Sequence, residues 1–358
     1  MFNSGYCTSY GTEAYRSRHR INDCTNFRVT PSNLHLSSIG IGTYLGNENV
    51  ETDHEVTSAI YAMLLNGCNV IDTAPNYRNG RAESSVGAAL QQMISDGTIR
   101  RDEVFVSTKV GIVPEYLVEA GCNEVRKFTF NDDILFSDGF CFDPTYLEWQ
   151  LHNSLKSLML DSVDCLYLHN IETLQQHLGK QAFLDRMPEI ILLLERLVNL
   201  GYVRSYGISS WDAFRSFPDN PLHIDLSVLF KHLDTVGIGY DNFQYLQLPL
   251  GIWGTEAITV KSQNAFGMTP VSILNYALSN GITVFANSAL LQGDLLRCDL
   301  SVIPGSNSMS EIHRAINFAR SVPGVKSLIV GIKSKKSITD AVQVMKSPYF
   351  DFDDCWVE

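Results

Sequence analysis

Asp72, Tyr77, Lys109 and His169 form a set of side chains that could hand a proton to a carbonyl oxygen. A phenol, with an ordinary pKa near about 10, is a poor acid at neutral pH. A neighbouring ammonium stabilises the phenolate and lowers that pKa, and a carboxylate beyond it holds the ammonium in place. An imidazole on the next strand can hydrogen-bond the carbonyl oxygen and orient it. Asp72, Lys109 and His169 each end a short apolar or β-branched run, and Tyr77 follows in the stretch Ala74-Pro75-Asn76-Tyr77, close enough to lean over the same opening. Each member also has a plain structural reading. A Lys–Asp pair is often a buried ion pair, and a His ending the run Cys165-Leu166-Tyr167-Leu168 can simply close a strand. The joint placement, not any single residue, points to chemistry.

The elements that must position these groups alternate two periods. Strand-like runs cover 38–43, 69–73, 104–109, 162–169, 203–209, 243–248, 282–287 and 325–331. Segments with apolar residues three and four apart cover 53–66, 83–95, 144–159, 188–199, 224–236, 271–279, 310–321 and 337–346. This is the βαβα signature of a parallel sheet, and eight such pairs predict an α/β fold closed as a (β/α)8 TIM barrel. An open doubly wound sheet fits less well, because the glycines of 40–46 lack the spacing of a dinucleotide-binding turn. The strands end in turn on Asp72, Lys109, His169, Ser209, Gln247 and Asn287-Ser288. Polar groups at successive carboxyl ends predict a polar-floored cup on the face where barrels carry their sites. Thr52 with Glu55 has capping-box spacing, Gly67, Gly201 and Gly281 stand where helices should end, and Pro188 suits a first helical turn.

Residues 1–35 read as an N-terminal cap or hairpin, 36–346 as a single barrel, and 347–358 as a C-terminal tail. Two connections, 110–142 and 170–187, are long for barrel loops. The first carries Phe128, Phe130, Phe136, Phe140 and Phe142 and reads as an ordered aromatic lid. A net charge of -12 argues against nucleic acid as a partner, since phosphate neutralisation needs clustered Lys and Arg. The 8 cysteines show neither CxxC nor Cys/His ligand spacing, so neither a metal site nor a disulfide framework is expected. No apolar run is long enough for a membrane span or a leader, making the cytoplasm the default. Late in the chain, a strand over 325–331 runs into Lys333, Lys335 and Lys336 ahead of a helix beginning near Ser337. A helix N-terminus beside lysines suits a phosphate, although a solvated basic turn reads the same way.

Several motifs occur in order along the chain: Asn69-Val70-Ile71-Asp72-Thr73-Ala74 with Tyr77, Gly80-Arg81-Ala82-Glu83, Val106-Ser107-Thr108-Lys109, Asp164 to His169, Tyr206-Gly207-Ile208-Ser209-Ser210, Leu246-Gln247-Leu248-Pro249, and Pro323-Gly324-Val325 running into Val330-Gly331. In these motifs the sequence resembles the aldo-keto reductase family, in the branch with a long loop after the third strand. The resemblance implies Tyr77 as general acid, Lys109 and Asp72 as its tuning pair, and His169 as the residue that orients the carbonyl. It implies that Ser209 and Gln247 hold a nicotinamide carboxamide, while Ser288, Leu290 and Gln292 clasp a pyrophosphate. Gly331, Lys333, Ser337 and Asp340 then surround the adenosine ribose and its phosphate. Ser210 and Ala341 depart from the residues the family often has there.

The expectation is an NADP-dependent oxidoreductase that interconverts a small carbonyl compound and its alcohol, using NADPH, with NADH possible. The aromatic wall fits a bulky or apolar substrate. Two rivals stay open. One is a barrel that binds the cofactor as a sensor or regulatory subunit without turnover. The other is an isomerase or dehydratase using the same acid and base without net redox.

Overall fold

Eight parallel strands close on themselves in the computed structural model, which describes residues 4–19, 23–119, 139–264, 269–297 and 310–352. They are β1 (Ile39–Gly42), β2 (Val70–Asp72), β3 (Phe105–Val110), β4 (Val163–His169), β5 (Val203–Ser209), β6 (Phe243–Pro249), β7 (Thr283–Asn287) and β8 (Val325–Gly331). β8 pairs with β1, Gly331 opposite Gly42, to shut the barrel. The intervening helices are α1 (Val50–Leu65), α2 (Arg81–Ser95), α3 (Pro144–Leu158), α4 (Lys180–Asn199), α5 (Leu226–Thr235), α6 (Ile273–Ser279), α7 (Glu311–Ser321) and α8 (Lys335–Lys346). The fold is the (β/α)8 barrel that the alternating periods predict.

The strands are near-continuous apolar runs because helices cover one face and the barrel interior the other, so β3 and β4 are buried along their whole length. The helices bury one stripe each. On α2 that stripe is Val86, Ala89, Leu90 and Met93, the spacing of a single helical face. The amino-terminal end of the barrel is plugged. A hairpin of Phe27–Val29 and His35–Ser37 brings Leu34 and Leu36 against Phe105, Tyr167, Tyr245 and Phe285. Among the described residues, the carboxyl ends of the strands are the end left open to carry a site.

Several local boundaries differ from the sequence reading. α1 begins at Val50, and Asn49 caps it by accepting from the Thr52 N–H, so Thr52 is inside the helix and no capping box forms there with Glu55. Pro188 is interior to α4, not in its first turn. The apolar face of α4 extends back through Phe183 and Met187 to meet Ile190, Ile191 and Leu194, and burying that face offsets the roughly 3 kcal/mol an interior proline costs. The connection 170–187 is accordingly helical, with Glu172–Leu178 preceding α4 across Gly179. Gly67, Gly201 and Gly281 do follow helix ends, each with positive φ.

Of the aromatic connection 110–142, Phe128, Phe130 and Phe136 lie outside the described residues. At its base Phe142 is buried, Phe140 stacks on it with ring centroids 6.2 Å apart, and Ile112 bridges to Phe140. Among the described residues no helix is long and apolar enough to cross a membrane, and no cluster of His, Cys, Asp and Glu could hold a metal.

Candidate active site

Strand register explains why the polar side chains meet. His169 on β4 pairs with Ser209 on β5, Ser209 with Gln247 on β6, and Asp72 on β2 with Ser107 on β3. Paired residues face one side of the sheet, so the strand ends present a polar floor in two rows, His169-Ser209-Gln247 and Asp72-Ser107, joined where Gln247 Nε2 donates to Asp72 Oδ1. Above it lies a cavity of about 480 Å³. Asp72, Tyr77, His169, Ser209, Gln247, Ser288, Leu290, Gln292, Gly331, Ser337 and Asp340 all line it.

Lys109 lies beneath the floor, with no exposed surface. Its ammonium donates to Asp72 Oδ2 (2.6 Å) and to the Thr73 carbonyl (3.0 Å), and it sits 4.6 Å from the centre of the Tyr77 ring. Asp72 Oδ1 accepts from Ser107 Oγ and from Gln247 Nε2, both at 2.8 Å. The carboxylate is therefore held by three donors, which is what makes a buried pair of this kind tolerable. The Tyr77 ring stands edge-on to His169, centroids 6.0 Å apart, and edge-on to Tyr44 at 5.0 Å. The structure thus brings the four sequence-selected residues together.

Burial acts first on each titrating group here. It pushes the Tyr77 phenol above its usual value, and the Lys109 ammonium pulls it back by charge and hydrogen bond without prevailing. The lowering of that phenol expected from the sequence is present as an influence but is outweighed, because the ring sits in a poorly solvated layer with Asp72 also pressing it upward. Burial likewise lowers Lys109, but Asp72 and Tyr77 more than offset it, so the ammonium stays charged. Burial and the Lys109 charge hold His169 well below the usual histidine range, leaving a neutral imidazole at neutral pH.

Ser209 and Gln247 are partly occupied with each other. Ser209 Oγ donates to Gln247 Oε1 (2.9 Å), and Asn287 Nδ2 lies 3.4 Å from the same oxygen. Asn287 lines the cavity, and its buried Oδ1 has no hydrogen-bond partner among the described residues, which leaves an acceptor beside them. Ser210 also lines the cavity, but its hydroxyl donates to Glu172 Oε1 (2.7 Å) and accepts from the Ala213 N–H (2.7 Å). It braces the turn that presents Trp211 to the cavity.

At the far end the turn after β7 holds Ser288, Leu291 and Gln292 at positive φ, a conformation retained mainly where structure or ligand demands it. Lys333 does not line the cavity; Lys336 does. α8 starts at Lys335, capped by Ser334, two residues before Ser337. Asp340 takes a hydrogen bond from His313 on α7 at 2.9 Å.

Tyr44, Asn76 and Trp211 are cavity residues to which the sequence reading assigned no contact. Asn287, which closes β7, entered that reading as a member of the strand-end cup, and Lys336 as one of the lysines ahead of the last helix. Tyr44 falls just past the end of β1 and could have been found by extending the strand-end rule to the first strand.

The sequence pattern of the aldo/keto reductase family matches residues 38–216. An uncharacterized oxidoreductase, YqkF, of Bacillus subtilis is 29% identical over 186 residues, 51% of this chain and 48% of that protein. A D-threo-aldose 1-dehydrogenase of a Pseudomonas species is 28% identical over 232 residues, 63% of this chain and 62% of its own length. The chain thus spans about half to three fifths of these relatives' length. Among solved structures, an aldo/keto reductase of Klebsiella pneumoniae in complex with NADP and acetate superposes with a TM-score of 0.60 at 18% identity, covering 91% of both chains. That likeness is one of fold.

Proposed function

Because the chain belongs to the aldo/keto reductase family, we propose that it reduces an aldehyde or ketone to the alcohol, or runs the reverse, with NADPH in preference to NADH and with Tyr77 as the proton donor. The bound nicotinamide supplies or accepts the hydride, which no side chain can do. The chain's own residues do the rest. Tyr77 gives its phenolic proton to the carbonyl oxygen, Lys109 stabilises the phenolate left behind, and Asp72 fixes Lys109 through the 2.6 Å contact. His169, neutral and beside Tyr77, hydrogen-bonds the same oxygen and orients it.

The residues around the cavity fit a dinucleotide. Asn287 Oδ1, Gln247 and Ser209 offer a carboxamide its acceptors and donors at the nicotinamide end. Ser288, Leu290 and Gln292 border the place for the pyrophosphate. Gly331, Ser337 and Asp340 surround the ribose, with Lys336 the lysine of that stretch that lines the cavity. The observation that carries the reading is the Tyr77–Lys109–Asp72 stack opening into this cavity beside a neutral His169.

The test is direct. Purified protein mixed with NADPH and a panel of activated aldehydes should lose the near-ultraviolet absorbance of the reduced cofactor. Tight cofactor binding without turnover would favour the sensor reading. Carbonyl conversion without any change in that absorbance would favour a non-redox isomerase or dehydratase.

A further inference from the structure

Directly after Tyr77 the backbone takes an expensive path. Arg78 and Asn79 both adopt left-handed conformations (φ 49° and 54°) before Gly80, a region that side chains with a Cβ rarely occupy unless their surroundings hold them there. Arg78 shows what holds them. Its side chain has no exposed surface, and its guanidinium is ion-paired with Asp53 on α1. Its Nε donates to the Asn47 carbonyl at 3.1 Å, and Nη1 lies 3.5 Å from Ser85 Oγ on α2. Arg81 shares the same Asp53 carboxylate. One guanidinium therefore joins α1, α2 and the connection that follows β1.

That connection borders both ends of the cavity. Tyr44 packs edge-on against Tyr77, and Leu45 lies against Gly331, where an added Cβ would sit 3.1 Å from Leu45 Cδ1. Gly46, at φ 135°, has no room for a side chain. A Cβ there would meet Thr52 Cγ2 at 2.5 Å, with Lys333 Nζ at 3.4 Å and Arg78 Cδ at 3.7 Å. The connection is wedged between Arg78 on the Tyr77 side and Lys333 on the other. This also gives Lys333 a place although it does not line the cavity.

We propose that Arg78 is a positioning residue: it staples the wall formed by residues 44–47 to the turn that carries Tyr77, so that the proton donor and the far end of the cavity are held as one unit. The catalytic half of this rests on Tyr77 being the donor.

Two variants separate positioning from stability. Arg78→Gly removes the guanidinium while relieving the left-handed backbone. Arg78→Lys keeps a charge for Asp53 but cannot reach Asp53 and the Asn47 carbonyl together. In amide hydrogen exchange on the full chain, Arg78→Gly should speed exchange of residues 44–48 and 76–80 by about tenfold while β4 to β6 stay protected. The Tyr77 phenol, followed by carbon NMR of labelled tyrosine and assigned with Tyr77→Phe, should titrate at a different pH in Arg78→Gly.

With NADPH and an activated aldehyde, kcat should fall about tenfold to a hundredfold, the scale of a small misplacement, with little change in KM. Arg78→Lys should recover the melting temperature but not kcat. Wild-type exchange in 44–48, an unmoved Tyr77 titration, or wild-type kcat in Arg78→Lys would overturn the proposal. Should the wild-type protein turn over no carbonyl, the donor reading of Tyr77 fails by itself, and exchange and titration still decide whether Arg78 staples the two segments.

Discussion

Replacing Glu83 by glutamine should stabilise the protein above neutral pH, by an amount that can be worked from its surroundings. Glu83 stands in the first turn of α2, 2% exposed, and accepts a hydrogen bond from Thr108 Oγ at 2.6 Å, one residue before Lys109. Burial pushes its carboxyl up from 4.5 to about 7, against the opposing pull of Thr108 and Lys109. Between those two values the folded chain holds a proton that the unfolded chain has lost, so stability falls as pH rises through that window. About 2.5 pH units at roughly 1.4 kcal/mol each makes a penalty of about 3 kcal/mol, fully present above the folded pKa of about 7 and absent below 4.5. Glutamine has no charge to desolvate and keeps an acceptor for Thr108. Urea unfolding of both proteins at several pH values should show the variant's advantage widening from about 1 kcal/mol at pH 5 to about 3 kcal/mol at pH 8. An advantage that does not change with pH, or a variant less stable at pH 8, would refute the reasoning.

Two further outcomes follow from the same geometry. Lys109→Ala leaves the Asp72 carboxylate buried without its cation. It should lower stability by about 3–5 kcal/mol, read by denaturant unfolding, along with loss of turnover. Lys336→Ala removes the cation lining the far end of the cavity and should weaken NADPH binding about tenfold in a fluorescence titration while NADH binding hardly changes.

The barrel and its polar cup were legible because both rest on period and burial. Asp72, Ser209 and Gln247 interrupt apolar strands at the carboxyl ends; parallel register sets Ser209 beside Gln247, and a hydrogen bond from Gln247 Nε2 ties Asp72 to them. What was not legible depends on turns. Nothing in the residue type of Arg78 announces a left-handed backbone, since arginine has no special preference for it. Which of Lys333, Lys335 and Lys336 lines the cavity was not legible either: α8 starts two residues before Ser337, and helix ends are weakly encoded. Pro188 misled for a related reason: a proline marks a helix start only where burial does not carry the helix through it. The mutual hydrogen bonds of Ser209, Gln247 and Asp72 were also hidden, because a strand-end rule assigns each residue to the cavity and not to its neighbours.

The central claim is that Tyr77 donates the proton, and Tyr77→Phe tests it most directly. The substitution keeps the ring packed against Tyr44 and His169 and removes only the hydroxyl. NADPH-dependent reduction of an activated aldehyde should fall by about a hundredfold to ten-thousandfold, while NADPH binding, read by fluorescence, stays at the wild-type level. Wild-type turnover in Tyr77→Phe would contradict the account.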